Sequence, residues 1–265
     1  MLKRVAALAG ILLATSAAAA DLTPSADAVK ELAPTGQLRA AINYGNSVLA
    51  QKDPKTGAPV GISAALAREL GRRLQRPVDF VPYDEAGAVT AAARTGAWDV
   101  AFLAVDPVRA ADIGFTAPYV VIEGTYAVPA ASPLTAIEDV DHAGVHIGVA
   151  KGSAYDLYLT RSLRQAELVR AEDTAAAVTL LEQHRVEALA GVRQPLVRYA
   201  TQHPDVRVLP GRFMEIGQAM GTLKDRPAGL AYLARFVEAM KASGFVAQAL
   251  AESGQHDAAV APPAP

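Results

Sequence analysis

The 265-residue sequence predicts an α/β protein with two lobes and a cleft between them. Short apolar runs rich in β-branched residues alternate with segments of helical periodicity, and this order is typical of a parallel α/β sheet. The alternation occurs twice, and extended segments at residues 119–128 and 215–223 connect the two units. Two connections between two lobes form a hinge, and a hinge allows a cleft to open and close. We therefore expect two mixed or parallel sheets joined by a two-strand hinge.

The first unit alternates strands and helices up to the turn at Asp106-Pro107. Apolar residues recur every four positions in segment 62–74, which predicts an amphipathic helix. Residues 86–95 form an alanine-rich helix that Gly96 ends, because glycine suits the C′ position of a helix. The predicted strands of this unit are residues 38–42, 78–81 and 100–105.

The second unit has the same alternation. Its strands are predicted at residues 145–150, 168–169, 186–192 and 206–209. Its helices are predicted at residues 154–163, 174–183 and 194–202, and Asp173 or Thr174 caps the second of them.

The C-terminal part of the chain is predicted to return to the first lobe. Residues 214–223 contain Gly217 and Gly221, which favours a long connecting segment over a core strand. An amphipathic helix at residues 229–241 and a shorter helix at 246–250 follow. We expect lobe 1 to comprise residues 36–122 and 220–254, lobe 2 to comprise residues 123–219, and the Ala/Pro-rich tail at residues 255–265 to be disordered.

The first 20 residues are typical of a secretory signal peptide. Lys3 and Arg4 precede an apolar run, and small residues lead to an expected cleavage site near Ala20. The run is too short to span a membrane, and a chain without cysteine has no lipid-attachment cysteine. We expect a soluble, monomeric protein in the periplasm.

Composition excludes several classes of function. Without Lys3 and Arg4, 23 basic residues stand against 27 acidic ones, a formal charge of −4, and no basic block indicates nucleic-acid binding. The absence of cysteine excludes disulfides and thiolate metal sites. No cofactor or metal is expected, since the five histidines are scattered at His142, His146, His184, His203 and His256.

Arg109 is the candidate binding residue that the local sequence indicates. Asp106-Pro107 ends the predicted strand at residues 100–105, and Arg109 follows at once. A guanidinium at the carboxyl end of a buried strand is costly unless an anion meets it there. The alternative is an arginine in a solvated loop, which is the more common case. The pattern of motifs along the whole chain nevertheless supports Arg109 as a residue that binds an anion.

Motifs along the chain occur in the order typical of one family. They are GQLRAAI at residues 36–42, DPKTG…GI at 53–62, GAWDVA at 96–101, the x-P-x-R turn ending at Arg109, IGFTAPY at 113–119 and VHIGVAKGS at 145–153. From Gly36 to Gly254 the chain resembles the periplasmic solute-binding proteins of ABC importers, polar amino-acid class, known as extracellular solute-binding proteins of family 3. The resemblance implies a two-lobed, type II-like periplasmic-binding-protein fold, a small ligand in the cleft, and a membrane permease as partner.

The resemblance also implies which residues bind the ligand. Arg109 takes the position of the arginine that forms a bidentate pair with the ligand carboxylate. The Gly152-Ser153 turn takes the position that supplies backbone N–H groups and a hydroxyl from the other lobe, where a helix begins. The further candidates are Asn43, Tyr44 and Asn46, with a plain Asx turn as the alternative, then Ala104 and Ala154, and Tyr155, which could instead pack its own helix.

The chain departs from the family where an α-amino group would bind. Val192 and Arg193 occupy the place of the usual aspartate, and Asp106 replaces a neutral Thr or Ser. If Arg193 points into the cleft, it and Arg109 could hold a ligand with two anionic ends, such as a dicarboxylate. If Arg193 points to solvent, Asp106 or Glu123 could replace the missing carboxylate, although Glu123 could equally be a salt-bridge partner in the hinge.

These observations predict a non-catalytic binding protein that captures a small carboxylate-containing solute by cleft closure and delivers it to an ABC importer. One alternative is a periplasmic dehydratase-type enzyme acting on a cyclic carboxylic acid, with Glu123 and Asp106 as its only candidate acid–base groups. A solute-sensing module is the other alternative. The sequence has no Ser/His/Asp arrangement, metal-ligand cluster or Gly-rich phosphate loop, which favours binding over catalysis.

Overall fold

The computed structural model describes residues 22–265, so the predicted signal peptide at residues 1–20 lies outside the described residues. Within residues 22–265, no helix is both long enough and apolar enough to cross a membrane. The helices are α1 (Ala26–Leu32), α2 (Ile62–Leu74), α3 (Ala86–Ala92), α4 (Ala154–Ser162), α5 (Thr174–Glu182), α6 (Arg193–Gln202), α7 (Pro227–Ala242) and α8 (Phe245–Glu252). The strands are β1 (Leu38–Asn43), β2 (Gln51–Lys52), β3 (Pro59–Val60), β4 (Val78–Tyr83), β5 (Val100–Ala104), β6 (Ile113–Pro129), β7 (His146–Ala150), β8 (Glu167–Ala171), β9 (Ala188–Val192), β10 (Val206–Val208), β11 (Met214–Leu223) and β12 (Ala259–Val260).

The strands are arranged as two parallel groups joined by two long antiparallel strands. The main sheet has the order β4-β1-β5-β11-β6-β9-β7-β8. β1 pairs in parallel with β4 and β5, and β7 pairs in parallel with β8 and β9. β6 and β11 run antiparallel between these groups. The predicted two-lobed α/β fold is confirmed, and its two sheets are the halves of one continuous hydrogen-bonded sheet.

Each half of the sheet carries its own hydrophobic core on both faces. We call the half around β1, β4 and β5, with its helices, lobe 1, and the half around β7, β8 and β9 lobe 2. In lobe 1, Ile62, Leu66 and Leu70 of α2 are fully buried, as the four-residue spacing predicts. Trp98 fills the opposite face of that half, where its indole N–H donates to the carbonyl of Val89. Lobe 2 likewise has separate clusters on its two faces.

The structure corrects the prediction that residues 214–223 only connect the lobes. They form β11, which pairs with β5 on one edge and with β6 on the other. Glycine serves close packing in this strand: a Cβ on Gly217 would lie 2.8 Å from Cγ of Pro118, and one on Gly221 would lie 2.6 Å from Cγ2 of Ile113. The two glycines suggested a loop, but their missing side chains leave room for side chains of β6 to pack across β11.

The structure also differs from the predicted disorder of residues 255–265. β12 pairs with Val120 and Val121 of β6, on the same edge that β9 occupies farther along that strand. Ala261 is buried behind it, and the carbonyl of Pro262 accepts a hydrogen bond from Nζ of Lys241. Among residues 22–265, this part of the β6 edge has no other strand beside it, so its backbone N–H and C=O groups can pair with the tail. Pairing of this kind gives residues 259–260 a defined position although the composition of the tail predicts disorder.

Candidate functional site

A cavity lies between the two lobes, beyond the carboxyl ends of β1, β5 and β9, which is where ligands bind in open α/β sheets. About 700 Å³ of empty space, open solvent included, lies among its lining residues. Its lining from lobe 1 comprises Asn43, Gly45, Asn46, Glu85, Ala86, Leu103, Ala104 and Arg109, and from β11 Ile216 and Gln218. Its lining from lobe 2 comprises Ser153, Ala154, Tyr155, Thr174, Ala177, Val178, Leu189, Ala190, Gly191, Val192, Pro195 and Leu196.

Arg109 reaches this cavity because β5 is buried along its whole length and the chain turns sharply where that strand ends. The side chain is 1% exposed. Nη1 donates to the carbonyl of Ala104 at 3.0 Å, and Nη2 donates across the cleft to the carbonyl of Gly152 at 2.9 Å. Nε has no hydrogen-bond partner among residues 22–265. Burial lowers the pKa of Arg109 to about 10, so the guanidinium remains protonated at neutral pH.

The Gly152-Ser153 turn contacts Arg109 from the other lobe. The resemblance implied that its backbone N–H groups and the Ser153 hydroxyl face the cleft, but the atom that contacts Arg109 is the carbonyl oxygen of Gly152. The N–H of Gly152 donates to Asp156 Oδ2 at 2.8 Å, so this residue offers its carbonyl to the cleft. Ser153 is the N-cap of α4, and its Oγ accepts from the N–H of Asp156 at 3.0 Å. The next two amides, those of Ala154 and Tyr155, open α4 and have no partner within the helix. They are the backbone donors that α4 presents to an anion in the cavity.

Glu85 is a cavity residue that the sequence reasoning missed. Glu85 is 9% exposed, and its Oε1 accepts from the N–H of Thr174 at 2.7 Å and from Oγ1 of Thr174 at 2.8 Å. Thr174 is the first residue of α5, so this contact joins lobe 1 to lobe 2. Burial raises the pKa of Glu85, and its hydrogen bonds to Thr174 oppose that shift. Asn43, the last residue of β1, lies opposite Tyr83, the last residue of β4. Glu85 follows β4 by two positions and therefore lies at the same edge of the sheet as Asn43.

Asn43, Asn46 and Tyr155, which were also predicted, line the cavity as well, and the two asparagines stabilise local turns. Oδ1 of Asn43 accepts from the N–H of Gly45 at 3.0 Å, and Oδ1 of Asn46 accepts from the N–H of Val48 at 3.2 Å. Both are Asx turns, and each leaves its side-chain NH2 group as a donor. Burial, followed by the negative charge of Glu85, raises the pKa of Tyr155 to about 12, so its hydroxyl is neutral.

The structure places Tyr44 and Asp106 outside the cavity. Tyr44 packs against the core of lobe 1, with Nζ of Lys52 4.8 Å from its ring centroid. Asp106 is buried, but its Oδ1 accepts from the N–H of Val108 and its Oδ2 pairs with Nη2 of Arg161 at 2.7 Å. Because Arg161 belongs to α4 of lobe 2, Asp106 joins the lobes and is not available to a ligand.

Arg193 and Glu123 also lie away from the cavity, behind the hinge. Nε of Arg193 donates to Oε2 of Glu123 at 2.6 Å, and Oε1 of Glu123 accepts from Nη1 of Arg212 at 2.8 Å. The remaining Arg193 contact is a hydrogen bond from Nη2 to the carbonyl of Gly211. Arg193 is the first residue of α6 and follows Val192, which pairs with Gly124 of β6. Glu123 is the neighbour of Gly124 on that strand, so the Arg193 side chain lies within reach of it. Of the two alternatives for Arg193, the structure has the one in which it points away from the cleft, so it does not join Arg109 there.

The two lobes touch directly at a glycine of α3. A Cβ on Gly87 would lie 2.9 Å from the carbonyl oxygen of Lys151, and one on Gly152 would lie 2.8 Å from Cα of Gly87. Gly152 has a φ of +72°, which glycine adopts without strain. The backbones of α3 and of the Gly152-Ser153 turn are therefore so close together that neither Gly87 nor Gly152 has room for a side chain.

Gly87→Ala tests whether the bound protein closes to this distance. Gly87 lies in the first turn of α3, where alanine gains less than the about 1 kcal/mol of a helix interior, so the free energy of unfolding should change little once the lobes part. The added methyl group should hold the lobes apart and weaken solute binding by about tenfold, equivalent to about 1.4 kcal/mol. Chemical denaturation and titration calorimetry measure the two effects. Unchanged affinity would mean that the lobes do not meet at Gly87 when solute is bound.

Comparison with known proteins gives a family and a common fold. The sequence model of the bacterial extracellular solute-binding proteins, family 3, matches residues 39–254. No curated protein matches the sequence.

Many solved structures are similar to the chain. The solute receptor for L-cysteine of Neisseria gonorrhoeae is 22% identical, with a TM-score of 0.75, covering 85% of this chain and 92% of that one. The amino acid ABC transporter substrate-binding protein AbpA of Streptococcus pneumoniae, bound to L-arginine, is 19% identical, with a TM-score of 0.74 and coverages of 86% and 98%. The ancestral amino acid-binding protein AncCDT-1, a precursor of cyclohexadienyl dehydratase, is 22% identical, with a TM-score of 0.72 and coverages of 84% and 98%.

Proposed function

Because the chain belongs to the bacterial extracellular solute-binding proteins, family 3, we propose that it is the solute-binding component of an ABC importer and captures a small carboxylate-containing solute. The observation that carries the proposal is the environment of Arg109. Its guanidinium is buried and protonated, donates hydrogen bonds to two carbonyls, and forms no salt bridge with a carboxylate among residues 22–265. A carboxylate that reaches the guanidinium when the lobes part would neutralise this charge in a site of low dielectric.

The second part of the proposal is that such a solute favours the closed arrangement of the lobes. Arg109 belongs to lobe 1, and the free amides of Ala154 and Tyr155 belong to lobe 2. A carboxylate between them contacts both lobes only when they are together. The solute then favours closure by the difference between its affinities for the closed and open forms.

We extend the proposal to the partner and the compartment. The predicted signal peptide and the family support a periplasmic protein that works as a monomer and delivers its solute to a membrane permease. The dehydratase alternative has less support, because its two named acid–base candidates, Asp106 and Glu123, are held in salt bridges outside the cavity.

A thermal-shift screen tests the proposal. Purified protein is heated with a panel of small carboxylates, each beside the amide or methyl ester of the same acid. A bound solute at 100 times its Kd should add about 2.7 kcal/mol to the free energy of unfolding, while the uncharged derivative should add little. A panel in which no carboxylate raises the Tm, or in which esters act as strongly as acids, would contradict the proposal.

A further inference from the structure

We propose that Arg161 is a positioning residue for solute binding: its salt bridge to Asp106 keeps that carboxylate from competing with the solute carboxylate for Arg109. This role rests on the proposed function and adds a determinant of affinity that lies outside the cavity. Arg161 belongs to α4 of lobe 2, whereas Asp106 and Arg109 belong to one turn of lobe 1. Lobe 2 therefore determines whether the carboxylate of this turn is free to pair with Arg109.

The turn that follows β5 buries its charged residues and exposes its apolar ones. Val105 and Val108 are 48% and 55% exposed, whereas Asp106 and Arg109 are 5% and 1% exposed. This is the reverse of the usual distribution, because charged side chains are seldom fully buried unless they are paired. Residues three apart on a helical turn are neighbours, so a pair between Asp106 and Arg109 is the arrangement expected of the turn in isolation.

The structure has a different pairing. Oδ1 of Asp106 accepts from the N–H of Val108 at 2.8 Å, and Oδ2 accepts from Nη2 of Arg161 at 2.7 Å. Arg109 donates instead to two carbonyl oxygens. Arg161 thus takes the oxygen of Asp106 that the backbone of the turn leaves open, and Arg109 stays available to a carboxylate from outside the chain.

The charge of Asp106 nevertheless acts on Arg109. Burial lowers the pKa of Arg109 to about 10, and the negative charge of Asp106 opposes that shift. The same charge repels a carboxylate bound at Arg109. The guanidinium of Arg161, 2.7 Å from Asp106, offsets this repulsion. Without Arg161, the buried carboxylate would have Arg109, on its own turn, as the cation to pair with.

Arg161 is available to Asp106 because the acidic residue of its own helix is already bound. Oδ1 of Asp156 pairs with Nε of Arg170 at 2.9 Å, and Oδ2 accepts from the N–H of Gly152 at 2.8 Å. Arg161 lies in the last turn of α4, where the helix dipole favours a cation. Among residues 22–265, Asp106 is its one salt-bridge partner.

Closure of the lobes and exchange of partners are then linked. When the lobes separate, Arg161 leaves Asp106, and that carboxylate can turn to Arg109. When they close around a solute, Arg161 takes Asp106 and the solute carboxylate takes Arg109, so each arginine has one carboxylate. Arg161 therefore raises the affinity of the closed form without touching the solute.

Three variants separate this role from that of a simple contact between the lobes. Arg161→Met removes the cation and keeps a long side chain that suits a helix. Asp106→Asn removes the competing charge and keeps an oxygen for the N–H of Val108. Arg161→Lys keeps a cation for a contact that a single nitrogen makes. Loss of a simple contact would weaken binding in both Arg161→Met and Asp106→Asn, whereas competition gives the two variants different effects.

The probes are acetate, pyruvate, succinate, leucine and phenylalanine, each beside the amide of the same acid. Thermal shift selects the acid that binds the wild type, and titration calorimetry measures its Kd for every variant. Arg161→Met should weaken binding by about tenfold, whereas Asp106→Asn should bind at least as tightly as the wild type. The double variant should bind as Asp106→Asn does, because no carboxylate remains to compete. Arg161→Lys should stay within about threefold of the wild type.

Arg170→Met is the matched control. Arg170 pairs with Asp156 inside lobe 2, and the exposed fractions of their side chains, 42% and 5%, match the 43% and 6% of Arg161 and Asp106. Its removal should lower the free energy of unfolding, measured with urea, and leave Kd unchanged. The reason is that a pair within one lobe stays intact whether the cleft is open or closed.

Weaker binding by Asp106→Asn, or a loss in Arg161→Met that persists in the double variant, would overturn the role of Arg161 and leave the proposed carboxylate site standing. If no acid of the panel binds the wild type, the proposed function fails, and this role with it. Should Arg161→Met not fold, which circular dichroism would reveal, Asp106→Asn decides alone: unchanged or tighter binding supports the competition, and weaker binding overturns it.

Discussion

Replacing Arg109 by methionine is expected to abolish solute binding while the free energy of unfolding stays the same or rises. The binding loss should reach about 1,000-fold, or about 4 kcal/mol, because the variant removes the buried cation that pairs with the carboxylate. Methionine is long and unbranched and can occupy the path of the arginine side chain, which is 1% exposed.

The expected stability follows from the cost of burying the charge. Burial lowers the pKa of Arg109 from 12.5 to about 10, which corresponds to a penalty of about 3 kcal/mol on the charged form in the folded protein. The penalty is complete at every pH below about 10, where both the folded and the unfolded arginine are protonated, and it fades as the pH rises towards 12.5. The variant also loses two hydrogen bonds from a charged donor to carbonyls, each worth about 1.5 kcal/mol, so the two effects nearly cancel.

Urea denaturation and titration calorimetry of Arg109→Met measure both quantities. The matched control is Arg39→Met, also in lobe 1, because Arg39 pairs with a buried carboxylate and should lower stability on removal. If Arg109→Met instead lost more than about 2 kcal/mol of unfolding free energy, the arginine would be a structural residue rather than a binding one.

Asp99→Asn is expected to destabilise the protein by about 3 kcal/mol without changing solute affinity. Asp99 is fully buried at the start of β5, and its Oδ1 lies 2.8 Å from Nη2 of Arg39 and 2.8 Å from Nη1 of Arg226. Its Oδ2 accepts from the backbone N–H and from Nε of Arg39. Arg226 immediately precedes α7, so one carboxylate joins β1, β5 and the helix that completes the core of lobe 1. Asparagine would leave two arginines without their anion.

Asp112→Asn is the control for this prediction. Its partner, Arg94, has a side chain that is 75% exposed, and the Asp112 side chain is 35% exposed. Breaking such a surface pair should cost less than about 1 kcal/mol. Urea denaturation compares the two variants, and similar losses for both would show that the buried cluster contributes no more than a surface ion pair.

The sequence alone predicts the features that local chemistry determines. The spacing of apolar residues locates α2 at Ile62–Leu74, as the structure has it. The Asp-Pro turn after a buried strand indicates Arg109, which the structure places in the cavity. In both cases, the residues that decide the outcome lie within a few positions of each other.

The features that were missed depend on residues far apart in the chain. The direction of Arg193 is determined by Glu123, which lies 70 positions away. The importance of Glu85 appears only when lobe 2 brings Thr174 against it, 89 positions along the chain. β11 is a core strand because side chains of β6 cover its glycines, and periodicity within one segment does not reveal such packing.

The ordered C-terminal tail provides a place for a spectroscopic label. The carbonyl of Asp257 accepts from Nε2 of Gln194 on α6 of lobe 2, whereas the carbonyl of Pro262 accepts from Nζ of Lys241 on α7 of lobe 1. A rotation of one lobe against the other must strain or break one of these attachments. The exposed His256 lies in this segment, so a fluorophore attached through a cysteine introduced there would report lobe movement without occupying the cleft.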